Sequence, residues 1–116
     1  MSELIDRVSN AASLSPDAAR KAVGLILTFL RSESSEPAVE TMISGTPGAA
    51  EALQTAGDAE FPGGIMGLGG KLMGLGLDMG QIRTVGEEIV GFSKEHVGEE
   101  TVSAAIGSVP ALAPFV

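Results

Sequence analysis

Cysteine, tryptophan and tyrosine are absent from this chain of 116 residues, and histidine occurs once. Without cysteine, neither a disulfide scaffold nor a thiolate zinc site can form, and a reducing compartment such as the cytoplasm is favoured. Because His96 is the sole histidine, a multi-histidine metal site is excluded as well. The only aromatic residues are four phenylalanines, so we expect a core built mainly from aliphatic side chains and methionine.

Basic residues are also scarce. Seven Lys and Arg stand against fifteen Asp and Glu, which leaves a net charge of −8. This charge repels phosphate backbones and anionic lipid surfaces, and only Arg20 and Lys21 are adjacent among the cations. With no Tyr or Trp, the stacking side chains of single-strand binders are largely missing too. The composition therefore argues against a nucleic-acid partner.

Long apolar runs without a charge are missing. No such run reaches the ~20 residues of a membrane-spanning helix, and Lys71 interrupts the nearest candidate, residues 61–77. The first residues carry acids where a secretory signal would carry Lys or Arg. We therefore expect a cytoplasmic protein without a membrane span.

The hydrophobic periodicity predicts an all-α fold, in a single compact domain that covers residues 1–116. A short amphipathic helix is expected over 3–12. The capping types at Ser15, Pro16 and Asp17 then predict a long helix to about residue 32. Its inward stripe includes Ala19, Ala22, Val23, Ile26, Phe29 and Leu30. Shorter helices are expected from residue 34 to 45 and from 46 to 53, and a loop over 54–64.

Residues 62–80 hold eight of the sixteen glycines and three of the five methionines. The apolar residues between the glycines recur at helical steps, from Ile65 to Met79. We predict a central, buried helix whose glycines let a neighbouring helix approach closely. The candidate helix-packing or interface residues are Gly63, Gly67, Gly70, Gly74, Leu68, Leu72 and Met73. On this hypothesis, Leu at position 70 or 74 would overpack the core and destabilise the fold.

Known chemical motifs do not fit the chain. A phosphate-binding loop ending at Lys71 would need glycine where Ile65 stands and Ser or Thr where Leu72 stands. His96 lies near Glu95 and Glu99, but a histidine at a helix C-terminus is favoured by the helix dipole alone. We therefore predict no catalytic, cofactor-binding or metal-binding residue, and a protein that is not an enzyme.

The second half of the chain resembles the first. Residues 14–53 align without a gap on 77–116, and both units consist of a cap, a long helix, a break, a short helix and a proline. Asp78 and Gln81 form a plausible capping box, followed by an inward stripe of Ile82, Val85, Ile89, Phe92 and His96. Either the halves are a duplication, built as two helix pairs around the central helix, or two amphipathic pairs share their spacing by chance.

The Gly/Met segment, residues 78–82 (Asp-Met-Gly-Gln-Ile) and residues 106–112 (Ile-Gly-Ser-Val-Pro-Ala-Leu) together resemble the YidB-like group of small bacterial proteins, a domain of unknown function. The resemblance spans nearly the whole chain. It implies a compact all-α fold with some helices arranged as in a homeodomain, and no known activity. A homeodomain's reading helix is basic, whereas residues 80–96 carry Arg83 and Lys94 against three glutamates.

The leading hypothesis is therefore a non-enzymatic interaction or structural module that binds an unknown protein partner or forms a homodimer. The alternative is a nucleic-acid-associated regulator that uses the homeodomain-like arrangement. An enzyme ranks third, because it would need a pocket with converging polar groups.

Overall fold

The computed structural model describes residues 3–57 and 59–115, and within them the chain is an all-α domain without a strand. The helices are α1 (Glu3–Ala12), α2 (Pro16–Glu33), α3 (Pro37–Gly45), α4 (Ala49–Ala56), α5 (Ile65–Gly74), α6 (Met79–Val97) and α7 (Glu99–Gly107), followed by a 3₁₀ helix (Pro110–Phe115). The all-α prediction is confirmed. The predicted loop over 54–64 is too long, because α4 continues to Ala56.

The two long helices begin where the local sequence predicts. The Ala18 backbone N–H donates to the Ser15 hydroxyl at 3.1 Å, which caps α2. At α6, the Gln81 N–H donates to the Asp78 carboxylate at 2.8 Å, and the Asp78 N–H donates to the Gln81 side chain at 3.0 Å. This reciprocal pair is the predicted capping box, and it satisfies two amides that have no partner within the helix.

The core is centred on α2 and α6, which pack against each other. Helix α4 covers α2, α1 covers α6, and α3 pairs with α7. Phe29 and Phe92 are fully buried, as the inward stripes predict, and the Phe61 ring meets Phe29 edge to face at 5.3 Å. His96 departs from its predicted stripe: it is exposed, with its ring 4.5 Å from that of Phe92.

The first three helices of each half follow the same order, whereas the fourth element is the α-helix α4 in the first half and the 3₁₀ helix in the second. Helices α2 and α6 begin 63 positions apart, at Pro16 and Met79, and each is followed by a nine-residue helix. The match extends to α1 and α5. Each of these helices is followed within two residues by a residue with positive φ, Ser13 at 56° after α1 and Gly76 at 98° after α5. The duplication itself remains a hypothesis, and its last aligned position, residue 116, lies outside the described residues.

The central segment is not one helix from 62 to 80. Helix α5 ends at Gly74, and the Leu77 N–H then turns back to the Leu72 carbonyl oxygen at 3.4 Å. The left-handed backbone at Gly76 makes this turn possible, since L side chains rarely adopt that conformation. Met79 consequently opens α6 instead of extending α5, and it is 54% exposed.

None of the helices in the described ranges combines the length and apolarity that would let it cross a membrane.

Candidate functional site

The surface of α5 that faces away from the core is the most unusual apolar feature of the molecule. Met66 is 81% exposed and Met73 is 51% exposed, and the two lie seven residues apart on one side of the helix. Gly70 and Gly74 are exposed beside them, and a Cβ added at either would meet nothing within 4 Å. We call these four residues the outer face of α5.

The opposite side of α5 holds the helix on the domain. Leu68 and Leu72 are fully buried in the core, as predicted. They lie on the side of the helix that contacts α2 and α6. Two of the seven candidate residues are therefore core residues.

The close packing predicted for the candidate glycines is wrong for most of them, whereas their alternative role at an interface stays a prediction. Of the four candidate glycines, only Gly67 is closely packed inside the chain, since a Cβ there would collide with the Pro62 carbonyl oxygen. Gly63 precedes the helix and has a φ of +83°, so it serves a turn. Gly70 and Gly74 lie against open space, and Met73 is exposed, so these three residues do not contribute to the core.

Helical spacing contained a signal for this exposed surface. Leu68 and Leu72 are four residues apart and define one side, while Met66 and Met73 fall on another. The prediction of a fully buried helix did not separate these two sides. A ten-residue helix that is apolar all round is expected to be enclosed, and only its contacts show that this one is not.

The outer face of α5 carries little charge. Between Phe61 and Leu77, Lys71 is the only charged residue of a chain with net charge −8. Among the described residues, no acid lies within ion-pair distance of Lys71. A partner that approaches α5 therefore meets apolar side chains, bare backbone and one ammonium group.

A second group of side chains, around Arg7, is structural. The Arg7 guanidinium donates to the Glu95 carboxylate at 2.8 Å, lies 3.6 Å from that of Glu88, and is 5.1 Å from the centre of the Phe92 ring. The hydrogen bond to Glu95 and the charges of both glutamates raise the pKa of Arg7 above its ordinary value. These contacts attach α1 to α6.

Among the residues whose burial is described, the two buried polar ones, Thr46 and Ser93, form a pair. The Thr46 hydroxyl donates to the Met42 carbonyl oxygen at 2.6 Å, and the Ser93 hydroxyl lies 3.1 Å from that of Thr46. Both groups are within hydrogen-bond distance of a partner and neither is ionisable near neutral pH, so the pair joins α3 to α6 without forming a reactive centre.

His96 does not gather metal ligands. Across residues 3–57 and 59–115, no three His, Cys, Asp or Glu side chains are grouped closely enough to hold a metal ion. Glu95, which is next to His96, is paired with Arg7 on α1.

Comparison with protein-family models, curated proteins and solved structures finds no match for this chain. The resemblance to the YidB-like group and the homeodomain-like arrangement thus remain expectations from the sequence, and the function is argued from the surface of α5.

Proposed function

We propose that this protein is a non-enzymatic protein-interaction module that binds a helix of a partner protein on the outer face of α5. The observation that carries the proposal is the exposure of Met66 and Met73 on one side of a helix whose other side is fully buried. Large apolar side chains that are grouped at the surface mark interaction sites. Methionine suits such a site because its flexible, polarisable side chain adapts to the partner's shape.

The glycines support the same proposal. Gly70 and Gly74 are one turn apart and present bare backbone, so a partner helix can approach α5 more closely than side chains would allow. Glycine lowers helix stability by up to ~1 kcal/mol per residue relative to alanine. Two exposed glycines in a ten-residue helix are a disadvantage for the isolated domain, and close contact with a partner gives them a use.

We infer a partner different from this chain, since two copies that each carry a net charge of −8 repel one another. A homodimer through α5 is the competing arrangement. The proposal includes a cytoplasmic location, supported by the cysteine-free sequence.

The test compares three forms of the protein as bait in extracts of the native cell. In the first variant Met66→Glu and Met73→Glu place two carboxylates on the outer face of α5. In the control variant Met79→Glu alters a methionine of similar exposure that belongs to α6. We expect a stoichiometric partner to be retained by the parent and the Met79→Glu control and lost by the double variant. Circular dichroism checks that all three forms are equally folded.

Two results would contradict the proposal. One is a partner that binds the double variant as well as the parent, which would place the interaction elsewhere. The other is a concentration-dependent dimer in light scattering that the double variant abolishes, which would identify the outer face of α5 as a homodimer interface.

A further inference from the structure

Methionine is the only sulfur-containing residue type of this chain. The sequence has five methionines and no cysteine, tryptophan or tyrosine. Thiols, which also react with peroxides, are therefore missing, and a peroxide acts on this chain at its thioethers. Which thioethers react first depends on which of them the fold leaves open to solvent.

The fold divides the described methionines into a buried and an exposed class. Met42 is 1% exposed and lies in the core, whereas Met66, Met73 and Met79 are 81%, 51% and 54% exposed. Met1 lies outside the described residues. An oxidant must reach a lone pair of the sulfur, and for Met42 this requires local opening of the core. The three exposed methionines can be reached in the folded protein.

Two of the exposed methionines belong to the outer face of α5 and flank the same two glycines. Met66 precedes Gly69 and Gly70 by three and four residues, and Met73 follows them by four and three. Residues at these spacings are neighbours on a helix surface. A Cβ added at either glycine would meet nothing within 4 Å. Helix α5 therefore has no side chain between the two methionines that could shield either thioether.

We propose that Met66 and Met73 are sites of reversible oxidation to methionine sulfoxide by hydrogen peroxide, and that this modification releases the partner helix from the outer face of α5. The release rests on the proposed function, whereas the modification does not. In the reaction, a sulfur lone pair attacks one peroxide oxygen, so that an S–O bond forms and the O–O bond breaks. The departing hydroxide takes the proton of the transferred oxygen and leaves as water. Sulfur loses two electrons, and the peroxide gains them.

The sulfoxide changes what the outer face of α5 offers to a partner. Oxidation turns a flexible apolar side chain into a polar one with a hydrogen-bond acceptor. A partner helix that packs on an apolar face would leave this acceptor unpaired, so each sulfoxide is expected to weaken binding about fivefold or more. The domain is expected to stay folded, because α5 is held by Leu68 and Leu72 on its buried side.

The change is chemically reversible. Methionine sulfoxide reductases remove the oxygen as water while two thiols are oxidised to a disulfide, and one enzyme serves each sulfoxide epimer. Oxidation of the outer face of α5 would therefore control binding without consuming the protein.

The first test measures the oxidation rate of each methionine in the purified protein after addition of hydrogen peroxide. Trypsin cleaves the chain so that each relevant peptide contains its own control, and tandem mass spectrometry locates the sulfoxide within it. Residues 32–71 contain Met66 together with the buried Met42, and residues 72–83 contain Met73 together with Met79 of α6.

We expect Met66 to react fastest, and Met73 and Met79 to react at similar rates. Met42 should react at least about tenfold more slowly than Met66, because its oxidation requires opening of the core. In concentrated urea the four rates should become similar, which shows that the fold causes the difference.

The second test measures whether oxidation causes release. Tagged protein that has been partly oxidised and freed of peroxide is mixed with a limiting amount of native cell extract. Gel filtration then separates complexed from free tagged protein, and the sulfoxides are counted in each fraction. Sulfoxide at Met66 or Met73 should be depleted from the complex about fivefold or more. Sulfoxide at Met79 should be distributed equally, which makes this residue the matched control within the same molecule.

The free fraction also tests reversibility. After treatment with reductases for both epimers and dithiothreitol, it should form the complex again. Circular dichroism of the oxidised protein checks that the helices are retained.

Different results would overturn different parts of the reasoning. Oxidation of Met66 or Met73 as slow as that of Met42 would overturn the modification sites. Equal distribution of sulfoxide at Met66 and Met73 between complexed and free protein would overturn the release and leave the proposed function standing. Failure of the reductases to restore binding would overturn reversibility. If untreated protein forms no complex, the proposed function fails and the release fails with it, while the oxidation rates still decide the modification sites.

Discussion

Individual glycines have opposite roles in this molecule, and their sequence context does not distinguish them. Gly24 lies where α2 crosses α4, and a Cβ there would collide with the Ala52 carbonyl oxygen. The Thr55 hydroxyl oxygen would be only 2.9 Å away. Gly70, in the segment where close packing is predicted, faces open space. The close approach of two helix backbones therefore occurs at an isolated glycine and not in the glycine-rich segment.

The same substitution at these two glycines should have opposite effects. Gly24→Ala is expected to lower the free energy of unfolding by about 1 to 3 kcal/mol, because α2 and α4 must move apart. Gly70→Ala is expected to raise it by ~0.5 to 1 kcal/mol, because alanine is the better helix former and meets no neighbour. Urea denaturation of the two variants and the parent measures both. A destabilising Gly70→Ala would restore the original close-packing hypothesis for α5.

At the scale of helices, α1 packs mainly against α6 and also against α2. Leu4, Ile5, Val8 and Ala12 provide its buried side. At the surface, Arg7 also links α1 to α6, because its guanidinium lies near two carboxylates and over the ring of Phe92. Arg31 offers a comparison, since it pairs with Glu40 at 2.9 Å but has no aromatic ring beneath it in the described structure.

We expect Arg7→Gln to destabilise the domain by about 0.5 to 1 kcal/mol and Arg31→Gln by less. An exposed ion pair contributes little alone, and the second carboxylate and the ring add to it at Arg7. The effect of Arg7→Gln should shrink at high salt, because ions screen exposed pairs. Urea denaturation at two NaCl concentrations tests this. Equal, salt-independent effects of the two variants would show that the contacts of Arg7 stabilise the domain no more than the single ion pair of Arg31 does.

At the scale of the whole molecule, the charges are distributed in a way that disfavours polyanions. Arg7, Arg20, Lys21 and Arg31 are each within 4 Å of a carboxylate, so these cations are partly neutralised. The remaining cations, Lys71, Arg83 and Lys94, are separated along the sequence. Helix α6, the longest helix described, carries more acids than bases, which is the reverse of a DNA-reading helix.

We therefore expect no saturable binding to duplex DNA or single-stranded RNA at ~0.15 M salt, since phosphate binding requires grouped cations that release counterions. Gel-shift and fluorescence-anisotropy titrations measure this directly. A salt-sensitive shift at submicromolar protein would support the alternative proposal, a nucleic-acid-associated regulator with a homeodomain-like arrangement.

The sequence by itself determined the local structure. The starts of α2 and α6 were predictable because a cap depends on residues within one turn, and Ser15 and Asp78 have suitable neighbours. The inward stripes were predictable because the helical period places Phe29 and Phe92 on one side of each long helix. The same local rules predicted the all-α fold.

Only the tertiary structure decided which surfaces are covered. Whether Met73 and Gly70 are enclosed depends on which helices pack beside α5, and this is set by contacts between distant parts of the chain. The close contact of Gly24 with Ala52 has the same origin. Periodicity shows that a helix has an apolar side. Whether that side is buried against another helix depends on how all the helices pack in three dimensions.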